Sequence, residues 1–122
     1  MSPPPSESLT VEARSTSADG TVVLLVTGDL VVSNMSLLER AVDEALDAGG
    51  LRIILDFGPL EHIDSPGLAL LCRLRNRCET AGGSFAVAAL PGRFLDLIRK
   101  LQLEQQIRFV RSVEEAEKRP AR

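Results

Sequence analysis

Two glycine pairs punctuate the middle of the chain, Gly49-Gly50 and Gly82-Gly83, and each separates a stretch of helical periodicity from a short apolar run. Glycine accepts the left-handed backbone that closes a helix, so each pair reads as a helix end. Before the first pair, Met35, Leu38, Ala41, Val42, Ala45 and Leu46 repeat at helical spacing, and Ser36-Leu37-Leu38-Glu39 has the form of a capping box. Before the second, Leu68, Leu71, Leu74, Cys78 and Ala81 form one apolar stripe. The runs that follow, Leu51 to Phe57 and Phe85 to Leu90, read as buried strands. Strands that alternate with helices in this way pair in parallel through right-handed crossovers, which confines the chain to an α/β fold.

The flanks extend the pattern. Leu9, Val11 and Ala13 alternate with Thr10, Glu12 and Arg14, as in a strand wet on one face, and Asp19-Gly20 is a hairpin signal. Val22 to Val26 then pairs back antiparallel, and its unbroken apolar character places it inside the sheet. Gly28 to Asn34 and Gly58 to Ile63 read as loops. Pro91 opens a third helix with Phe94, Leu95, Ile98 and Leu101 facing inward; Ile107 to Val110 is a last strand, and Ser112 with Glu115 caps a last polar helix. The expected order is ββαβαβαβα: a single domain with a mixed open sheet of about five strands and about four helices. It spans residues 9–117, between a Pro/Ser-rich tail (1–8) and a short C-terminal end (118–122) that are expected to be flexible.

Composition narrows the function classes. A net charge of -3 gives no electrostatic basis for binding nucleic acid, and the lack of Trp and Tyr removes the usual stacking platforms. Cys72 and Cys78 lie six residues apart on one predicted helix, too far round it to bridge, and are expected to be free, buried thiols. Free thiols, with a start that lacks the features of a signal peptide, make the cytoplasm the expected location. The apolar runs are too short to span a bilayer.

The chemistry-bearing motif is Asp64-Ser65-Pro66-Gly67-Leu68, at the junction of the predicted strand 51–57, its exit loop and the following helix. Ser65 as N-cap and Pro66 at the first helical position satisfy a helix start without any function. A hydroxyl at the positive end of a helix is also a place where a phosphate is tolerated. Ser65, Asp64 and His62 fit a hydrolase poorly: residues two or three apart on one loop rarely align as nucleophile, base and orienting acid, and the nucleophile elbow needs Gly where Ile63 stands. His62, the only histidine, reads as a surface residue or a local hydrogen-bonding partner. No cysteine and histidine spacing suits zinc, and no glycine pattern suits a phosphate loop or a dinucleotide, so neither a metal nor a cofactor is expected. Arg73 and Arg77, at i and i+4, read as a solvated face or an interface.

Ile54-Leu55-Asp56-Phe57 followed by His62-Ile63-Asp64-Ser65-Pro66-Gly67-Leu68-Ala69-Leu70-Leu71 resembles the signature of the STAS family, the domain of bacterial anti-sigma factor antagonists. The element order, a Gly28-Asp29-Leu30 turn after strand two and the Ala81-Gly82-Gly83 helix end extend the resemblance to nearly the whole chain. The resemblance implies a non-enzymatic binding module that sequesters a switch kinase of GHKL type, itself the anti-sigma factor, and so frees a sigma factor. Phosphorylation in the motif releases the kinase, and a phosphatase is an admissible second partner. Ser65 is the sole hydroxyl of this motif; sporulation-type members carry the modified hydroxyl directly before the Gly, where this chain has Pro66. Val31 stands where the family tends to carry an acid. The implied partner-binding residues are Asp29, Val31, Ser33, Asn34, His62, Asp64, Ser65, Pro66, Gly67, Leu68 and Arg73. The alternatives within the family are a phosphorylation-independent adaptor and an accessory subunit of a lipid-transport ATPase; outside it, a small serine hydrolase.

Overall fold

The computed structural model describes residues 8–16 and 19–118, and the expected flexible ends fall largely outside them. In chain order the elements are β1 (Leu9–Thr16), β2 (Thr21–Leu30), α1 (Met35–Asp47), β3 (Arg52–Asp56), β4 (Leu60–Ile63), α2 (Ser65–Thr80) and β5 (Ser84–Ala88). A 3-10 turn at Gly92–Phe94 leads into α3 (Leu95–Lys100), and another at Leu103–Gln105 precedes β6 (Arg108–Val110) and α4 (Val113–Lys118). The sheet runs β1-β2-β3-β5-β6; β1 pairs antiparallel with β2, and β2, β3, β5 and β6 are parallel neighbours. Ser17 and Ala18, in the β1–β2 connection, lie outside the described residues.

Each glycine pair divides its work. Gly49 and Gly82 adopt φ of +99° and +87°, the left-handed closure expected of a helix end. Their partners permit close approach: a Cβ on Gly83 would run into the Leu51 carbonyl, and one on Gly50 would stand 2.7 Å from the Ala45 carbonyl oxygen. The tight return brings the Ser84 N–H to the Leu51 carbonyl at 2.7 Å, which starts β5 alongside β3.

The main core lies between one sheet face, bearing Leu24, Val26, Ile53, Leu55 and Val87, and the helices that supply Leu38, Val42, Leu71, Leu74 and Cys78. Burial of such side chains, about 1.5–3 kcal/mol each, is the principal stabilising term. On the other face Val23, Ile54, Ala86 and Ala88 cluster with Ala116 of α4. At α4 the expected cap is present: Ser112 Oγ accepts from the Glu115 N–H at 3.1 Å, and Glu115 Oε1 accepts from the Arg111 N–H at 2.7 Å.

The structure corrects the sequence reading in several places. The sheet has six strands, not about five, because 60–63, expected as loop, forms β4. β4 pairs with Gly28–Leu30, so the expected turn there is the end of a ten-residue β2. That strand serves two neighbours in succession, β3 along Thr21–Leu25 and β4 beyond it. The Ser36 capping box does not form. α1 starts at Met35 behind Asn34, whose side chain turns back to Asp29 and Val31 rather than capping the helix. α3 is six residues long and buries Ile98, while Leu95 and Leu101 are 38% and 48% exposed. Ala81 is exposed beyond α2, and Leu70 joins the buried stripe instead. Cys78 is buried as expected, but Cys72 is half-buried, its Sγ donating to Gln106 Oε1 at 3.4 Å. At the margins of the expected domain, the Asp29 N–H donates to the Ser8 carbonyl at 2.9 Å, and Lys118 ends α4.

Candidate interaction surface

Three segments converge where β2 ends: the β2–α1 loop, β4, and the first turn of α2. The backbone brings them together, because β4 runs parallel to the last residues of β2 and delivers Asp64 to the helix mouth. The Asp64 N–H donates to the Leu30 carbonyl at 3.2 Å.

Asp64, not Ser65, is the N-cap. Its Oδ1 accepts from the Gly67 N–H at 2.8 Å, and its Oδ2 accepts from the Val32 N–H at 2.9 Å, 32 residues away in sequence. A carboxylate there faces the positive end of the helix dipole and satisfies amides that a helix start leaves unpaired. Ser65 and Pro66 thereby move one position into the helix, both exposed. The Ser65 hydroxyl has no hydrogen-bond partner among the described residues, and the capping duty expected of it falls to Asp64.

Behind this rim the polar groups are engaged. Asp29 is 1% exposed, and its Oδ1 accepts from His62 Nδ1 at 2.8 Å. Asn34, 8% exposed, donates from Nδ2 to the Asp29 carbonyl at 2.9 Å and accepts from the Val31 N–H at 3.1 Å. Gly67 and Leu68 are buried; a Cβ on Gly67 would stand 2.7 Å from the Leu30 carbonyl oxygen. Of the expected contact residues, Asp29, Asn34, Gly67 and Leu68 therefore build the surface from beneath instead of presenting it. Ser33, His62, Ser65 and Pro66 are exposed, and Val31 and Asp64 are partly so.

Asp29, Val31, Val32, Ser33, His62, Ile63 and Asp64 line an open cleft of about 380 Å³. Arg73 is not part of it. It lies on α2 eight residues beyond Ser65, about 12 Å along the axis, in a separate groove with Asp43, Asp47 and Arg77. Val32, expected only as part of the binding loop 29–34 and not singled out there, is 62% exposed at the loop tip. The sequence reading of site residues omitted Arg93, whose Nη2 donates to the Leu60 and Glu61 carbonyls at 2.9 and 3.0 Å and steadies β4.

His62 Nδ1 is directed at Asp29, and no described group bonds the Ser65 hydroxyl to activate it. Asp29, Glu61 and His62 carry potential ligand atoms within 4.8 Å of one another, a juxtaposition accounted for by the direct Asp29–His62 hydrogen bond. No helix among the described residues is long and apolar enough to cross a membrane.

No curated protein matches the sequence. Among solved structures, the chain is similar to an anti-sigma factor antagonist from Mycobacterium paratuberculosis, with 20% identity and a TM-score of 0.76 over 93% of this chain and 94% of that one. It is similar to the Thermotoga maritima protein TM1081, with 24% identity and a TM-score of 0.74 over 84% of this chain and 83% of the other. It is also similar to unphosphorylated SpoIIAA, the Bacillus anti-sigma factor antagonist, with 19% identity and a TM-score of 0.70 over 90% and 93% of the two chains. These likenesses establish the fold. The sequence model of the STAS domain matches residues 12–116. With strands, helices and the Asp64 junction in place over that span, the chain belongs to the STAS domain family.

Proposed function

We propose that the protein is a cytoplasmic anti-sigma factor antagonist, a binding module without catalytic activity of its own. It captures a GHKL-type kinase that doubles as the anti-sigma factor, and so frees the sigma factor. The observation that carries this reading is the exposed Ser65, its hydroxyl unbonded among the described residues, next in sequence to Asp64 of a cleft whose buried polar groups are hydrogen-bonded within the fold. SpoIIAA, which shares the fold, is known in unphosphorylated and phosphorylated forms.

Regulation follows from charge. The kinase transfers the γ-phosphoryl of ATP to Ser65 Oγ, which loses its proton as ADP leaves. The resulting dianion sits on a surface that must desolvate to bind, beside the Asp64 carboxylate. Pro66 supplies no N–H, so the helix mouth has one donor fewer to neutralise the phosphate. Repulsion and the hydration penalty then release the partner without refolding the domain.

Incubation with a GHKL-type kinase and ATP tests the assignment. Phosphorylation of the wild type at Ser65, and none of Ser65→Ala, supports it; complex formation with no transfer supports instead a phosphorylation-independent adaptor, the reading that Pro66 favours. Absence of any complex refutes both.

A further inference from the structure

The exposed segments of this surface, the Val31-Val32-Ser33 loop and the Ser65-Pro66 step, belong to different elements. The loop is braced locally by Asn34. A long-range bond joins loop and helix mouth: Asp64 Oδ2 accepts from the Val32 N–H, while Oδ1 accepts from the Gly67 N–H. Capping alone needs one oxygen, and both are used. Val32 is a large apolar side chain held 62% exposed at the loop tip, a position that serves a protein contact only if the backbone under it is fixed.

We infer that Asp64 is a positioning residue: its second oxygen tethers the loop to the mouth of α2, so that Val32 and Ser65 meet the partner as one rigid unit. The inference rests on the reading of this surface as the kinase-binding one. It separates two roles that substitutions can distinguish. In Asp64→Asn the amide oxygen still caps Gly67, since Asn is among the best N-caps, but the NH2 group faces the Val32 N–H, donor against donor. Asp64→Ser also caps and is too short to reach Val32.

The test is amide hydrogen exchange by NMR on the free wild type and both variants, followed by titration with the purified GHKL-type kinase of the same organism. The tether predicts a Val32 amide protected in the wild type. In both variants it exchanges about tenfold faster, as expected for one lost hydrogen bond to a carboxylate, while the Gly67 amide stays protected and the melting temperature changes little. Kinase affinity falls by about tenfold in parallel. A wild-type Val32 amide that exchanges at the unprotected rate overturns the tether without recourse to a variant. Faster exchange in the variants with undiminished affinity overturns the positioning role. If the wild type binds no such kinase, the functional reading fails, while the exchange rates still decide whether the tether exists.

Discussion

A methyl group on Gly67 would meet the Leu30 carbonyl at 2.7 Å and Ile63 Cγ1 at 3.1 Å, so α2 sits against the end of β2 only because this residue has no side chain. Gly67→Ala is expected to cost about 1–3 kcal/mol, the usual penalty for overpacking, read as a lower urea midpoint. Cys78 allows a pH prediction. Burial, partly offset by Arg77, pushes its thiol from 9.0 up to about 12. The folded state thus retains a proton that the unfolded chain gives up. Stability from this site is complete below about pH 9 and declines as pH rises toward 12. The stability difference between wild type and Cys78→Ala should therefore shrink as pH rises from about 9 toward 12 in urea titrations; a difference that widens contradicts the assignment. At this scale the sequence was only partly legible. Asp and Ser are both good N-caps and Pro is welcome in the first turn, so propensity places the helix start at Asp64-Ser65-Pro66 without deciding which residue caps. The tertiary bond from Asp64 to Val32 decides it, and that bond joins residues far apart in sequence.

β4 is where an element escaped sequence reading, and the cause is physical. Leu60 is buried, but Glu61 and His62 are both exposed, so the segment lacks the alternation that marks a strand. It is a strand because β2 outlasts β3 and leaves backbone groups that only a second partner can satisfy. Its anchor is Leu60, 1% exposed, and Leu60→Ala is expected to destabilise the domain by about 2–4 kcal/mol, measured by urea unfolding. An effect below about 0.5 kcal/mol would show that β4 is held by its backbone alone. The glycine-closed helices were legible because periodicity and stops agree. The short third helix was misread: Leu95 and Leu101 suit an inward stripe by spacing, but a helix of six residues turns only Ile98 into the core.

For the whole molecule, the α/β class, the crossovers and the placement of the motif at a strand-to-helix junction were all readable from residues that must satisfy local rules. The division of the motif into presenting and supporting residues was not. Asp29 and Asn34 are polar and lie next to a loop, yet they are buried: Asn34 braces the loop through Val31 and the Asp29 carbonyl, and the Asp29 carboxylate pairs with His62 of β4. The functional account predicts that the exposed subset decides binding, and that charge at Ser65 decides its reversal. Affinity capture from the native cytosol with immobilised wild type and Ser65→Asp, with bound proteins identified by mass spectrometry, tests this most directly. The account predicts a GHKL-type ATP-binding anti-sigma protein on the wild type, reduced at least about tenfold on Ser65→Asp. Absence of any such protein from the wild type, or its equal retention by the two, would contradict it.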